Sequence, residues 1–386
     1  MGYLIGGAGE GPEQEIVQSE KDYSKLTDQQ LLKLRDQTVK DIAKFNNFQM
    51  VRKICLNSAY GAIGNEWFRY YKLANAEAIT TSGQTSIRWI ENKLNKYLND
   101  LLKTENDYVV AVDTDSVYLN LGPLVDKFLS KQKDDKEKVV NLLDKVCQDQ
   151  LEPYIDKCYS ELAEYVNAYE QKMQMKRENI ADRGIWTAKK RYILNVWDSE
   201  GVRYEEPKLK IMGLEAIKSS TPAPCRTMIK DAFKLIMSGT EDDMIKFIDE
   251  SRSKFNKLPV EEISFPRSIS DVNKHKSNIT IYGKGCPMHV RAALLHNHYV
   301  KEHGLEKKYS MINNGDKIKF VHLKKANPIR ENVIGFNNDF PYELGLHKYI
   351  DYELQFDKAF LEPVKVILDS IGWNVEKVVN LELFFG

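Results

Sequence analysis

The chain has 386 residues, with 56 Lys+Arg matched by 56 Asp+Glu and charged residues making up 29% of the whole. That length can bury a sizeable core and divide into two or three domains, while the zero net charge excludes any global electrostatic signature of nucleic-acid binding, so such a site must be a local basic patch. The five cysteines (Cys55, Cys147, Cys158, Cys225, Cys286) are dispersed without CxxC spacing, which argues against zinc and for a reducing, cytosolic compartment, and no run of about 18 apolar residues predicts a membrane span.

The opening "MGYLIGGAGEGPEQE" has no basic flank for a signal peptide, and its glycines do not join a strand to a helix, so a flexible tail is expected rather than a phosphate loop. Thr27 followed by Gln30 has the pattern of a capping box and predicts a helix from Asp28 to about Leu56, ended or loosened by Gly61 and Gly64. Within "VRKICLNSAYGAIGN", Lys53, Asn57 and Tyr60 fall at i, i+4 and i+7, on one helix face. A lysine for phosphate charge, an amide for hydrogen bonding and a planar ring suit a nucleotide. An ordinary solvated helix face fits the spacing too. Ile87, Ile90, Leu94, Tyr97, Leu98 and Leu101 then predict a second helix.

"VVAVDTDSVYLNL" (Val109 to Leu121) reads as a hairpin, with Asp113 and Asp115 flanking Thr114 in apolar surroundings. Two residues apart on an extended chain, the carboxylates face the same way and repel unless a cation lies beside them. A hard divalent ion such as Mg²⁺ takes one or two carboxylates together with substrate phosphates, as phosphoryl and nucleotidyl transfer require. The D-x-D spacing by itself is equally that of a solvated tight turn, and the calcium-loop pattern is absent.

A charge-rich helical segment is expected from about Leu124 to Met175. "RYILNVW" and "EEPKLKIMG" predict two strands around a turn containing Gly201. Lys189, Lys190 and Arg191 are consecutive beside Tyr192, Lys208 and Lys210 share a strand face, and Lys218 follows: a plausible track for a nucleic-acid backbone. Asp198, Glu200, Glu205, Glu206 and Glu215 dilute that charge, so ordinary surface ion pairs are the alternative. Pro222 and Pro224 mark an internal boundary. Beyond them, helices are expected near 226–256 and 287–302, with a strand at "KIKFVHL". His289 and His296 have no neighbouring cysteine or carboxylate to complete a metal shell, and "HNH" at His296 to His298 is a chance spelling.

In this order, "KICLNSAYG", "VDTDS" and "AKKRY" resemble the K-x-x-x-N-S-x-Y-G, D-T-D-S and K-K-R-Y motifs of family B DNA polymerases, and "GNEWFRYY", "CPMHVRAALLHN" and "PKLKIMGLEAIKSSTP" resemble the T-even bacteriophage branch. The resemblance runs from about residue 45 to the C-terminus. It implies an α+β, right-hand architecture: residues 1–65 as half of the fingers with an N-terminal tail, 66–222 as an antiparallel palm, and 223–386 as a mainly helical thumb with a clamp-binding tail. It implies that Asp115 ligates Mg²⁺, one of two ions, while Asp113 tunes the coordination. Lys53 would meet the triphosphate of the incoming dNTP with Asn57 beside it, and Tyr60 would lie against the nascent base pair. Lys189, Lys190, Arg191 and Tyr192, with Lys208, Lys210 and Lys218, would hold primer–template DNA. Asp198, in "NVWD", matches a family position of less obvious role. Leu381, Leu383, Phe384 and Phe385 resemble a sliding-clamp peptide. The implied setting is the cytoplasm of an infected bacterium, with no membrane association.

The family's upstream palm motif D-x-x-S-L-Y-P-S and its 3′–5′ exonuclease domain do not occur in these 386 residues. The expectation is therefore the C-terminal half of a split polymerase, or a fragment of an intact one, inactive without an N-terminal polymerase/exonuclease part that carries the other catalytic aspartate. The alternative is a non-catalytic DNA- and clamp-binding subunit that retains polymerase motifs.

Overall fold

The structure is a computed structural model that describes residues 3–6, 23–129, 135–277 and 279–374. The chain divides into two compact units, Gly2–Ile180 with Ser199–Gly201, and Ala181–Asp198 with Val202–Gly386. Helices and antiparallel sheets are mixed, as an α+β chain requires.

In the first unit, α1 (Asp28–Ile63) starts at the expected capping box. The Gln30 amide donates to Thr27 Oγ1, and the Thr27 amide donates to Gln30 Oε1 at 2.9 Å. Two otherwise orphaned N–H groups are thereby satisfied. The helix runs on past Leu56, through Gly61, and is capped at Gly64. None of its residues is buried, although Val39, Ile42, Phe45, Phe48 and Ile54 lie along it. The helix α2 (Leu73–Leu102) is its opposite. Ile87, Ile90, Leu94, Leu98 and Leu102 recur every three or four residues and are all buried. Each such side chain stabilises by ~1.5–3 kcal/mol relative to exposure, which outweighs the marginal stability of an isolated helix.

Further along, α3 (Gly122–Phe128), α4 (Lys136–Val146) and α5 (Glu152–Tyr165) replace the single helical stretch that the sequence suggested. Pro123 opens α3, the Asp135 carboxylate caps α4, and one wider turn, Cys147–Leu151, joins α4 to α5. No helix follows Tyr165 before the next strand. α5 packs on α2: the Trp89 indole donates to the Cys158 carbonyl at 2.9 Å, and the Tyr97 and Tyr154 rings stack at 4.4 Å. Strand β1 (Tyr3–Gly6), placed by the sequence in a tail, pairs antiparallel with β3 (Ser116–Leu119) and with the start of β4 (Arg177–Ala188), while β2 (Val109–Asp113) pairs with β3.

The second unit continues with the end of β4, then β5 (Arg191–Ser199) and β6 (Val202–Met212). The residues that join β5 to β6 include Glu200 (φ 51°) and Gly201 (φ 85°), the two left-handed positions of a tight hairpin turn. Pro222 and Pro224 open α6 (Ala223–Ser238), followed by α7 (Glu241–Phe255) and the short α8 (Val260–Ile263) and α9 (Val272–His275). An antiparallel sheet in the order β7 (Phe265–Ser268), β8 (Lys317–His322), β9 (Val333–Phe336) lies against α10 (Met288–Glu302). Gly335 permits that approach, because an added Cβ would lie 2.9 Å from the Ala292 carbonyl carbon. At the end, α11 (Tyr352–Phe356) and the wider turn Asp357–Leu361 that joins it to α12 (Glu362–Ser370) bring Phe356 and Phe360 to a core shared with Phe233, Phe255, Phe336 and Phe340. His296 is buried in α10 with Nε2 at 3.2 Å from the Ser310 carbonyl, and burial holds its ring below the usual histidine range. It is a packed side chain.

Candidate active site and basic turn

β2 ends at Asp113 and β3 begins at Ser116, so Thr114 and Asp115 form the turn between them. Thr114 has φ 56°, a left-handed conformation that a β-branched residue rarely adopts. Three short-range bonds hold it. The Asp115 amide donates to the Asp113 carbonyl at 2.7 Å, the Thr114 hydroxyl to Asp113 Oδ1 at 3.1 Å, and the Ser116 hydroxyl to the Asp113 carbonyl at 3.1 Å. Asp113 is half-buried and Asp115 exposed, so the two carboxylates are not a matched pair on one strand face. Below the turn, Tyr159 of α5 is buried, and its phenol is pushed up to about 12 by burial, to which the negative charges of Asp115 and Asp156 add.

Two carboxylates supply the hard oxygen donors that a Mg²⁺ ion prefers, so the turn fits part of a metal site. It is only part: among the described residues, no group of three or more His, Cys, Asp or Glu side chains is placed to hold a metal ion. A two-ion centre needs further ligands.

Lys53, Asn57 and Tyr60 lie, as expected, on one face near the end of α1, and all three are exposed. A Cβ at Gly61 would meet nothing within 4 Å, so the helix surface at that position is open.

The third constellation belongs to the second unit. Lys189 and Lys190 form the two-residue turn between β4 and β5, and both are exposed, with Lys190 at φ 61°. The other residues of the basic stretch are placed differently. Arg191 Nη2 donates to both oxygens of Glu215, at 3.2 and 3.0 Å. Lys218 Nζ donates to the same carboxylate at 2.9 Å. Burial by itself would raise the Glu215 carboxyl, but the Lys218 hydrogen bond and the Arg191 charge outweigh it and hold the group below the usual range. Tyr192 is buried, with its ring 6.0 Å from that of Trp186. Lys208 lies over the Tyr204 ring at 3.9 Å, and Lys210 is half-buried. Of the basic residues in this third constellation, Lys189, Lys190 and Lys208 are the exposed ones.

Asp198 is fully buried and forms an ion pair with Arg203 across the β5–β6 hairpin, Arg203 Nε lying 2.8 Å from Oδ2. Leu381, Leu383, Phe384 and Phe385 lie outside the described residues. Sequence reasoning overlooked Gly213 and counted Glu215 only as diluting charge. The Arg191–Glu215 pair spans 24 positions, so no local spacing could have revealed it.

Residues 25–159 match DNA polymerase family B. The DNA-directed DNA polymerase of Escherichia phage RB69 is 36% identical over 347 residues, covering 86% of this chain and 38% of the relative. That of Enterobacteria phage T4 is 33% identical over 376 residues, covering 94% of this chain and 41% of the relative. DNA polymerase 1 of Pyrococcus abyssi (strain GE5 / Orsay) is 23% identical over 330 residues. The chain thus spans about two-fifths of the length of the phage relatives. It belongs to DNA polymerase family B and corresponds to the C-terminal part of the family's T-even phage members.

Proposed function

We propose that this chain forms half of the fingers, most of the palm and the thumb of a DNA-directed DNA polymerase, as residues 1–65, 66–222 and 223–386. The enzyme adds deoxynucleotides to a primer 3′-OH and releases pyrophosphate in the cytoplasm of an infected bacterium. The observation that carries this reading is the Asp113–Thr114–Asp115 turn, a left-handed threonine between two carboxylates inside the segment that matches the family.

Asp115 would ligate metal from its exposed position, and Asp113, fixed by the Thr114 hydroxyl, would tune the geometry. Two Mg²⁺ ions, when bound, supply charge stabilisation for the attacking and leaving oxygens. Lys53 would place its ammonium against triphosphate oxygens, Asn57 would donate a hydrogen bond, and Tyr60 would set a flat surface against the new base pair. Lys189, Lys190 and Lys208 would meet the duplex backbone, with Lys210 further along; Lys218, singled out with them, is bonded to Glu215 as Arg191 is, while buried Tyr192 would shape the turn from beneath.

The remaining metal ligand and the exonuclease would come from a preceding polymerase segment, on the same polypeptide or a separate one. The apolar residues exposed along α1 support this, since they leave room for more of the fingers to pack there. The resemblance further nominates a sliding clamp as the partner of Leu381, Leu383, Phe384 and Phe385. The test is primer extension by the chain together with the segment carrying D-x-x-S-L-Y-P-S. Asp115→Ala should abolish extension and Asp113→Ala should reduce it less; equal, mild losses would contradict the metal assignment.

A further inference from the structure

Lys190 holds its exposed side chain out from a left-handed position, φ 61°, that a lysine does not adopt for its own sake. What surrounds it accounts for this. Gly213, just past β6, is itself left-handed at φ 66°. A Cβ there would lie 2.1 Å from the Lys190 carbonyl oxygen, 3.2 Å from the Lys190 carbonyl carbon and 3.3 Å from Arg191 Cγ. The nearest contacts are backbone, which cannot swing aside. Two residues on, Glu215 sits between Leu214 and Ala216, both fully buried, so its backbone is anchored in the core. Its carboxylate takes two hydrogen bonds from Arg191 and one from Lys218.

We propose that Gly213 and Glu215 are positioning residues for the basic turn: Gly213 makes room for the Lys190 backbone, and Glu215 draws the Arg191 guanidinium onto the protein, so that Lys190 is presented to the DNA backbone and Arg191 is withheld. This rests on the assignment of the turn to duplex DNA. It divides three consecutive cations into two kinds. Lys189 and Lys190 are phosphate ligands, whereas Arg191 is an internal strut whose charge is already answered by a carboxylate. The sequence K-K-R by itself treats all three alike.

The test is equilibrium binding of a fluorescent primer–template duplex to the full chain across a salt series, reading the slope of log affinity against log salt. Each phosphate contact contributes about 0.9 to that slope. Lys190→Ala should make it shallower by about 0.9. Gly213→Ala should do the same, and the double variant should be no shallower than Lys190→Ala alone. Glu215→Gln should steepen the slope by about 0.9 for each cation it releases, Arg191 and Lys218, and adding Arg191→Ala to it should remove the share of Arg191. Thermal unfolding followed by circular dichroism checks each variant, and if Gly213→Ala does not fold, the Glu215→Gln pair decides. An additive Gly213→Ala/Lys190→Ala double, or a Glu215→Gln variant that weakens binding equally at all salt concentrations, would overturn the positioning role while leaving the DNA assignment standing. A Lys190→Ala slope equal to the parent's would overturn the DNA assignment itself, and this inference with it.

Discussion

The Asp115 amide donates to the Asp113 carbonyl at 2.7 Å, which places the two aspartates on a turn and gives their carboxylates different surroundings, one half-buried and one exposed. Two equivalent carboxylates on a strand face would repel equally and share one role. The asymmetry suits one direct ligand and one tuning group. Its cost falls on Thr114, and that cost is measurable. A non-glycine residue in the left-handed region costs ~1–3 kcal/mol, against ~0.5–1 kcal/mol for the extra unfolded-state entropy of glycine. Thr114→Gly should therefore raise stability by between zero and about 2 kcal/mol in urea unfolding, while lowering the rate of primer extension because the turn becomes looser. A destabilisation beyond about 1 kcal/mol would mean that the threonine side chain is part of the packing.

Lys53 is exposed on α1, so its removal should leave the fold intact. A charge-assisted contact to triphosphate oxygens is worth ~1.5–3 kcal/mol. Lys53→Ala should lower incorporation efficiency by about one to two decades with DNA affinity nearly unchanged. Single-nucleotide kinetics check this, and lost DNA binding with normal nucleotide kinetics would contradict the assignment.

The Asp198–Arg203 pair joins a fully buried carboxylate to a partly exposed guanidinium. Arg203→Ala leaves the carboxylate without that partner and should cost ~1–3 kcal/mol of stability, less than the loss of a wholly buried pair because solvent reaches the arginine's place. Chemical denaturation measures this directly. A neutral result would show that other hydrogen bonds suffice for Asp198.

In the second unit, the Glu343 carboxyl is pushed down to about 2 from an ordinary 4.5, first by its hydrogen bond from Lys308 and then by that from Tyr309. A depressed carboxyl contributes stability that is present above about pH 4.5 and is lost as the pH falls toward 2. Glu343→Gln should therefore flatten the acid limb of a melting-temperature profile over that window. Parallel acid limbs for the two proteins would remove Glu343 from the list of groups that stabilise the unit at neutral pH.

The elements that announce themselves by period were legible: α2 through Ile87, Ile90, Leu94 and Leu98, the β2–β3 hairpin, and β5–β6 around Gly201. Strand β4 was not, because Asn179, Ile180 and Ala181 are buried in succession and leave no alternation to read. β1 was hidden by its glycine-rich neighbourhood. The placement of the candidate site residues was legible where it is local, within three residues for Asp113 to Asp115 and along one helix face for Lys53 to Tyr60. What stayed hidden was long-range: the commitment of Arg191 to Glu215, the left-handed Lys190 against Gly213, and the buried ring of Tyr192.

The most direct measurement is primer extension by rigorously purified chain, with and without the polymerase segment that carries the D-x-x-S-L-Y-P-S aspartate. On the proposed reading Asp113 and Asp115 would supply only part of a two-ion centre, so extension should require both components and should be lost again with Asp115→Ala. Robust extension by the 386-residue chain alone would contradict the division of the active site described above.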